Sequence, residues 1–158
     1  MIQTTISISK QAVYEEVAKT TAYNGAKQIE ADAGAYDRLL ATDEDRQMLE
    51  RFWVEACDAA TIQLKRFAKS VNEQTIGDGS EDTAYTAVLS MPPLWPSSLS
   101  PTVNSELLAF FVALITAKWF TIAGSDKAET YASLADTKLT NATRLLYHRS
   151  KPTYTSPI

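Results

Sequence analysis

The stretch TDEDRQMLERFWVEACDAATIQLKRFAKSV, residues 42–71, decides the fold class of this chain. Its apolar side chains recur at intervals of three and four residues, which is the stripe of an amphipathic helix. The stripe consists of Leu49, Phe52, Trp53, Ala56, Ala60, Leu64, Phe67 and Val71. Thr42 and Asp45 match a capping box, and Asp43 and Glu44 suit the positive end of a helix. The pattern therefore predicts one long packing helix, and it carries no reactive constellation.

The segment before this helix predicts a shorter helix followed by a loop. Ser9 is a capping residue for a helix that runs to about Tyr23, where Asn24-Gly25 closes it. Residues 26–41 are interrupted by a glycine. They predict a loop with one helical turn over residues 35–40.

Two helices are predicted in the C-terminal half. Ser100-Pro101 is a capping residue followed by proline at the first helical position, which is a strong start signal. The helix that it begins is apolar all round and ends at Gly124, so we expect it at the centre of the core. Its uncharged run, residues 107–117, is too short to span a bilayer comfortably. Ser125 caps the last helix, which is amphipathic and ends near Arg149.

Two other segments show the alternation of a β-strand. Residues 2–8 alternate apolar and polar side chains, and residues 83–91 do the same. The inner face of the second segment consists of Tyr85, Ala87, Leu89 and Met91. A single strand cannot satisfy its own backbone groups, so the two pair either with each other or with a neighbouring chain. Residues 72–82 are polar and predict a turn or loop, and the four prolines in residues 92–101 argue against regular structure there.

Together these patterns predict a mainly α fold, a helical bundle of about four helices with a small β element and extended terminal arms. We predict one domain over residues 1–158, with residues 1–8 as an N-terminal arm or strand and residues 150–158 as a C-terminal tail. A chain of this length can bury a core without disulfides or metal. Its 45% hydrophobic and 22% charged residues are ordinary for a globular protein.

The charge and the cysteine content exclude several partners and cross-links. The formal net charge is −4, which argues against nucleic acid as the main partner because phosphate binding needs a basic field. Cys57 is the single cysteine, so no disulfide forms within the chain, and its place on the long helix predicts a small buried side chain. The N-terminal residues lack the features of a signal peptide, so we expect a soluble protein, with no membrane partner, made in the cytoplasm.

The inventory of reactive groups is short. His148 is the single histidine and stands beside Arg149 at the end of the last helix, which favours a cation at a helix C-terminus over a catalytic base. Nothing in the spacing brings Cys57 to His148. Residues 78–82 contain carboxylates near a glycine but lack the ligand spacing of an EF-hand, and neither a Walker sequence nor GxGxxG occurs. We expect no catalytic residue, no cofactor and no metal site, although catalysis by carboxylates alone stays open.

What remains are features that suit protein contacts. Trp95 lies between prolines, where it either packs back onto the bundle or anchors a partner. Tyr154 in the tail poses the same question. The basic C-terminal end either meets an acidic surface or is a solvated helix end. The candidate protein-interaction residues are therefore Leu94, Trp95, His148, Arg149, Lys151 and Tyr154.

The order of elements resembles virion proteins of tailed phages, and most of all the head–tail connector, or neck adaptor, family. The likeness covers roughly residues 12–152 and rests on three stretches, EDRQMLERFWVEACDAATIQLKRF, ELLAFFVALITAKWF and LLYHRSKP. Those proteins are small, acidic and mostly helical, and they carry extended arms or loops. This chain departs from the simplest adaptors in its proline-rich residues 92–101.

The resemblance implies a non-enzymatic subunit, many copies of which form a ring between portal and tail. Its partners would be copies of itself and the portal, tail or other neck proteins, with no sequence-specific nucleic acid contact. The protein would then be made in the host bacterial cytoplasm and end in the virion. The alternative is a helical regulatory or adaptor protein that binds a single cellular protein through Trp95 and the basic C-terminal end.

Overall fold

The computed structural model describes residues 1–27, 41, 45–77 and 82–152. The mainly α class with a small β element is confirmed. In chain order the elements are β1 (Ile2–Ser9), α1 (Lys10–Lys27), α2 (Arg46–Leu64), β2 (Ala68–Val71), β3 (Ala84–Met91), a 3-10 turn (Ser97–Leu99), α3 (Ser100–Ala123) and α4 (Ala128–Tyr147).

The sheet is antiparallel and has β3 at its centre, with the order β1-β3-β2. The two predicted strands pair with each other, from Ile2 opposite Met91 to Ser9 opposite Ala84. Period-two alternation places one face of each strand in the core. The buried members are Ile6, Ile8, Tyr85, Ala87, Leu89 and Met91, as the sequence predicts. The N-terminal segment is therefore a strand and not a free arm.

The long helix predicted over residues 42–71 is shorter than expected. It ends at Leu64, and after a turn the chain forms β2 on the free edge of β3, with an irregularity between Ala68 and Ser70. Without β2 this edge of β3 would leave backbone groups unpaired, and that requirement outweighs the helical pattern. Phe67 is buried as the stripe predicts, although it is not helical. Residues 42–44 of the predicted capping box lie outside the described part.

The first helix is longer than predicted. The Ser9 hydroxyl accepts a hydrogen bond from the Ala12 amide (3.2 Å), which confirms Ser9 as the cap. Asn24-Gly25 does not end α1, because the Asn24 side-chain amide donates to the Thr20 carbonyl and to the Tyr131 hydroxyl and so fastens this part of the helix to α4. The predicted helical turn at residues 35–40 lies outside the described part.

The third helix is central, as its all-round apolar pattern predicts. Ten of its side chains are buried, and it packs against α1, α2, α4 and β1. Gly124 ends it in the left-handed conformation (φ 78°), which glycine adopts without strain. Ser100, which was predicted to cap this helix, is its first helical residue. The 3-10 turn Ser97–Leu99 before it shows that the proline-rich residues 92–101 do contain a short regular element.

The last helix begins at Ala128, two residues later than a cap at Ser125 implies. The Ser125 hydroxyl accepts a hydrogen bond from the Lys127 amide (3.1 Å), so it stabilises the turn between α3 and α4 and not the helix end itself.

By length and composition the segment Ser97–Ala123 is the one helix of the described residues that could cross a membrane. The core helix of a soluble protein passes the same test. Here the Phe111 ring lies 5.0 Å from that of Trp53 and 5.5 Å from that of Tyr85, in the middle of the core. Cys57 is buried as predicted, and burial raises the pKa of its thiol.

Candidate functional site

A buried polar cluster lies where α1 begins beneath α2. The Lys10 ammonium group donates to both carboxylate oxygens of Glu50, at 2.9 and 3.0 Å. The Tyr14 hydroxyl donates to Oε1 of the same carboxylate (3.0 Å), and the Gly77 amide donates to Oε2 (3.3 Å). Glu50 is completely buried. A buried charge persists only when it is paired and hydrogen-bonded, and this one has both kinds of partner.

Aromatic rings surround the cluster. The Lys10 ammonium lies 6.0 Å from the centre of the Trp53 ring, and the Tyr14 ring meets Trp53 edge-on at 6.5 Å. Burial, and then the negative charge of Glu50, raise the pKa of Tyr14, so its phenol stays protonated and acts as a donor. The Trp53 indole N–H in turn donates to the side chain of Gln74 (2.9 Å), which extends the network to the segment after β2.

The cluster suits a structural role better than a catalytic one. Each oxygen of Glu50 already accepts two hydrogen bonds from the protein, and its carboxylate is inaccessible to a ligand. The three donors come from α1 and from the segment after β2, so the carboxylate holds both to α2. Sequence reasoning missed this site because its members are far apart in the chain. One signal was present, since Glu50 stands three residues before Trp53, on the buried side of the stripe.

A small pocket of about 200 Å³ adjoins the cluster. It is lined by Gln11, Tyr14, Glu15, Ala18, Ala41, Arg46 and Leu49. The Arg46 guanidinium donates to the Gln11 side-chain carbonyl (3.0 Å) and lies 5.3 Å from the Tyr14 ring. Its polar groups are thus engaged within the chain.

A larger, apolar depression runs between α1, α3 and α4, and we call it the α3 groove. Its volume is about 410 Å³. It is lined by Glu16, Thr20, Ser105, Leu108, Ala109, Val112, Ala113, Tyr131 and Leu134. Leu108 and Val112 are half-buried, and 41% of Leu134 is exposed. The groove therefore presents aliphatic side chains to water on the most apolar helix of the molecule.

Of the candidate interaction residues, Trp95 is not on the surface. Its side chain is 1% exposed, and the indole N–H donates to the Leu145 carbonyl (2.9 Å). The first of the two alternatives applies: the indole fills space between the proline-rich segment and α4, so the expectation of a surface anchor is wrong for this residue. Leu94 stays 46% exposed, and its carbonyl accepts a hydrogen bond from the Ser150 amide (2.8 Å).

The C-terminal candidates surround the end of α4. His148 is the exposed residue that follows the last helical turn, and Lys151 is exposed. The Arg149 guanidinium donates to the carbonyls of Leu146 (2.8 Å) and His148 (2.7 Å), so it stabilises the helix end. Tyr154 lies outside the described residues.

No group of three or more His, Cys, Asp or Glu side chains able to hold a metal ion occurs in the described part of the chain. Residues 78–81, which form most of the segment where carboxylates lie near a glycine, are outside that part. No protein-family model, curated protein or solved structure matches the chain.

Proposed function

We propose that this protein is a non-enzymatic structural subunit of a tailed-phage virion, a head–tail connector or neck adaptor that assembles as a ring between portal and tail. The partners of one subunit are then other copies of the chain, together with the portal and tail or other neck proteins. The resemblance of residues 44–67, 106–120 and 145–152 to that family supports the virion assignment.

The α3 groove is the observation that carries the assembly part of the proposal. A helix that is apolar all round is normally covered on every side. In the single subunit, α1 and α4 cover α3 incompletely and leave Leu108, Val112 and Leu134 in contact with water. A second copy laid into the groove removes this surface from water, and repetition around a closed ring multiplies a modest contact into a stable assembly.

The competing proposal, a regulatory adaptor for a single cellular protein, lacks one of its two supports. It assigned the anchoring role to Trp95 and the basic C-terminal end, and the indole of Trp95 is engaged with Leu145 inside the subunit. Only the basic end still favours that alternative.

Light scattering across a concentration series tests the proposal. We expect a discrete oligomer much larger than a dimer, with ring-shaped particles in negative-stain electron microscopy. Leu134→Glu places a charge in the groove and should shift the protein to smaller species. Ile122→Glu is the matched control, because Ile122 is also an exposed aliphatic residue but does not line the groove.

Two results would count against a ring. If Leu134→Glu and Ile122→Glu behave alike, the groove is not the contact between copies. If the wild-type protein remains a monomer at all concentrations and captures one cellular protein instead, the adaptor alternative replaces the ring.

A further inference from the structure

Charge is distributed very unevenly along this molecule. Several stretches of the sequence contain no Asp or Glu, among them residues 1–9, 59–72, 83–105 and 137–152. In the fold these stretches meet at one end, which comprises the start of β1, the ends of α2 and α4, and the segment between β3 and α3. We call its cations the basic end: Lys65, Arg66, Lys69, Arg144, Arg149 and Lys151.

Short contacts show that these stretches form one surface. The Arg66 guanidinium lies 5.5 Å from the centre of the Tyr147 ring, and the Phe67 ring meets the same tyrosine at 5.2 Å. The Phe67 carbonyl accepts a hydrogen bond from the Ser90 amide (2.8 Å), which ties the end of α2 to the end of β3. The end of α4 is held to the proline-rich segment through Trp95 and Ser150.

None of the six cations of the basic end forms an ion pair with a carboxylate of the described residues. The salt bridges of that part lie elsewhere, at Lys10, Lys19, Lys118 and Lys138. The C-termini of α2 and α4 also point to this end. They contribute a partial charge of about −0.5 each, which offsets little of six cations. Among the described residues, the basic end thus carries a positive field that no paired carboxylate offsets.

Carboxylates collect at the opposite end of the sheet, around the first turn of α1. Asp82 accepts a hydrogen bond from the Gln11 amide (3.4 Å), and Glu15 accepts one from the Gln11 side chain (3.1 Å). Glu73 stands between Asn72 and Gln74, whose side chains both bond to the Ala84 carbonyl. We call Glu15, Glu73 and Asp82 the acidic end.

The seven steps from Ile2 to Ser9 along β1 separate the two ends by about 23 Å. The Arg46 guanidinium, which is bonded to Gln11, offsets part of the negative charge of the acidic end. The Lys10 ammonium is buried on Glu50 and is already paired. Over the whole chain, the six cations of the basic end leave nine of the fifteen Lys and Arg residues for nineteen carboxylates.

We propose that the basic end docks against the acidic end of a second copy of this chain, so that copies join head to tail. The inference rests on the proposed ring and names the charged surfaces that orient its subunits. Two different surfaces of one chain in contact make a heterologous interface, and such an interface closes into a ring when its rotation permits. The opposite charges of the two ends also attract two copies that approach each other in the correct orientation. Copies that approach with like-charged ends repel each other.

A nucleic acid backbone is the competing occupant of the basic end. The acidic remainder of the chain repels a polyanion, whereas it attracts the basic end of another copy. The charge distribution of the whole molecule therefore favours a second copy over DNA.

Paired charge reversals of the full-length chain test the inference. Lys65→Glu, Lys69→Glu, Arg144→Glu and Lys151→Glu together change the net charge of the six basic-end residues from +6 to −2, and Glu15→Lys with Glu73→Lys change that of the three acidic-end residues from −3 to +1. All six side chains are exposed. We expect each of these two variants alone to need about tenfold more protein, or still more, to reach half-assembly, because like charges then face each other. An equimolar mixture of the two variants should assemble again, since every contact once more joins opposite charges.

The control variant is Arg51→Glu with Lys127→Glu, which reverses two exposed cations outside the basic end and should assemble as the wild type does. Wild-type assembly should also weaken as salt is raised from about 0.15 M to about 1 M, where the screening length falls from roughly 8 to 3 Å.

The outcomes separate this inference from the proposed ring. If wild type and all variants assemble equally, the ring stands and the charge pairing is overturned. If the mixture of variants stays dispersed, the pairing is also overturned. A wild-type chain that remains monomeric together with a dispersed mixture counts against both. If the basic end instead binds duplex DNA in a gel-shift assay, and the variant with all four basic-end reversals loses this binding but assembles as the wild type does, nucleic acid is the partner.

Discussion

Trp53 separates two regions of the interior that are filled in different ways. On one side its ring lies 5.0 Å from Phe111, whose ring in turn lies 5.5 Å from Tyr85 of β3. On the other side the Lys10 ammonium lies 6.0 Å from the same indole and is bonded to Glu50. The two regions are almost equally inaccessible to water, yet one is packed mainly with aromatic rings and the other contains a charge pair.

The comparison teaches that burial alone does not say what a side chain contributes. In the apolar region the loss on substitution follows the volume removed. In the polar cluster the loss of stability depends on whether the substitution leaves a buried partner unpaired. Removing both members of the charge pair together can cost little.

Phe111→Ala should have the largest effect. Phe111 is completely buried and contacts the rings of Trp53, Tyr85 and Phe110, so its removal leaves a large cavity. We expect a loss of about 3–5 kcal/mol in the free energy of unfolding, measured by urea denaturation with tryptophan fluorescence. Ile122→Ala, at an exposed site on the same helix, should change it by less than about 0.5 kcal/mol. A loss under about 1 kcal/mol for Phe111→Ala would contradict the central place of α3.

Glu50→Leu should cost about 3 kcal/mol by the same measurement, because it leaves the Lys10 ammonium and the Tyr14 hydroxyl buried without an acceptor. The double variant Lys10→Met with Glu50→Leu should be more stable than Glu50→Leu alone, because no buried charge remains. Equal stability of the single and double variants would show that water hydrates the Lys10 ammonium once Glu50 is replaced. The polar cluster and the aromatic region would then respond to substitution more alike than we infer.

The polar cluster should also make the fold sensitive to alkali. Burial raises the pKa of Tyr14 and of Cys57 in the folded chain, so the unfolded chain releases these protons at lower pH. Stability is therefore fully present below the ordinary values, about 8.5 for the thiol and about 10 for the phenol, and is lost above them. Each group contributes a loss of up to about 1.4 kcal/mol per pH unit in that window. Denaturation curves at rising pH should fall less steeply for Tyr14→Phe than for wild type; parallel curves would argue against a buried phenol.

Thr116→Val should have the smallest effect and the opposite sign. Thr116 lies in α3 at full burial, and its hydroxyl is the one buried side-chain polar group of the described residues that has no hydrogen-bond partner. Replacing the hydroxyl with a methyl group of similar shape should stabilise the fold by about 0.5–1 kcal/mol, visible as a higher melting temperature. Destabilisation would mean that the hydroxyl has a partner such as a buried water molecule.

Several elements could be read from sequence because their signals are local. The alternation in β1 and β3, the Ser9 cap, the apolar stripe up to Leu64 and the stop at Gly124 all come from patterns within one turn or one strand. The errors have a common cause. The helix predicted to continue to Val71 gives way to a strand, and Asn24 continues a helix that it was expected to close, because distant partners override a local preference.

The candidate surfaces were harder to predict. The cations near the C-terminus and the neutral proline-rich segment are visible in the sequence, but nothing local brings them to Lys65, Arg66 and Lys69. The α3 groove likewise depends on how far α1 and α4 cover α3.

The sequence alone was enough to locate the four helices and the strands β1 and β3, though not β2, and to place α3 at the centre, because hydrophobic period and capping chemistry act over a few residues. Only the tertiary structure decided that Glu50 shares its carboxylate with Lys10, Tyr14 and Gly77, that the Trp95 indole is buried against α4, and that the cations of three elements share one end. These pairings join residues distant in the chain, and they are set by burial and by the need of every buried polar group for a partner.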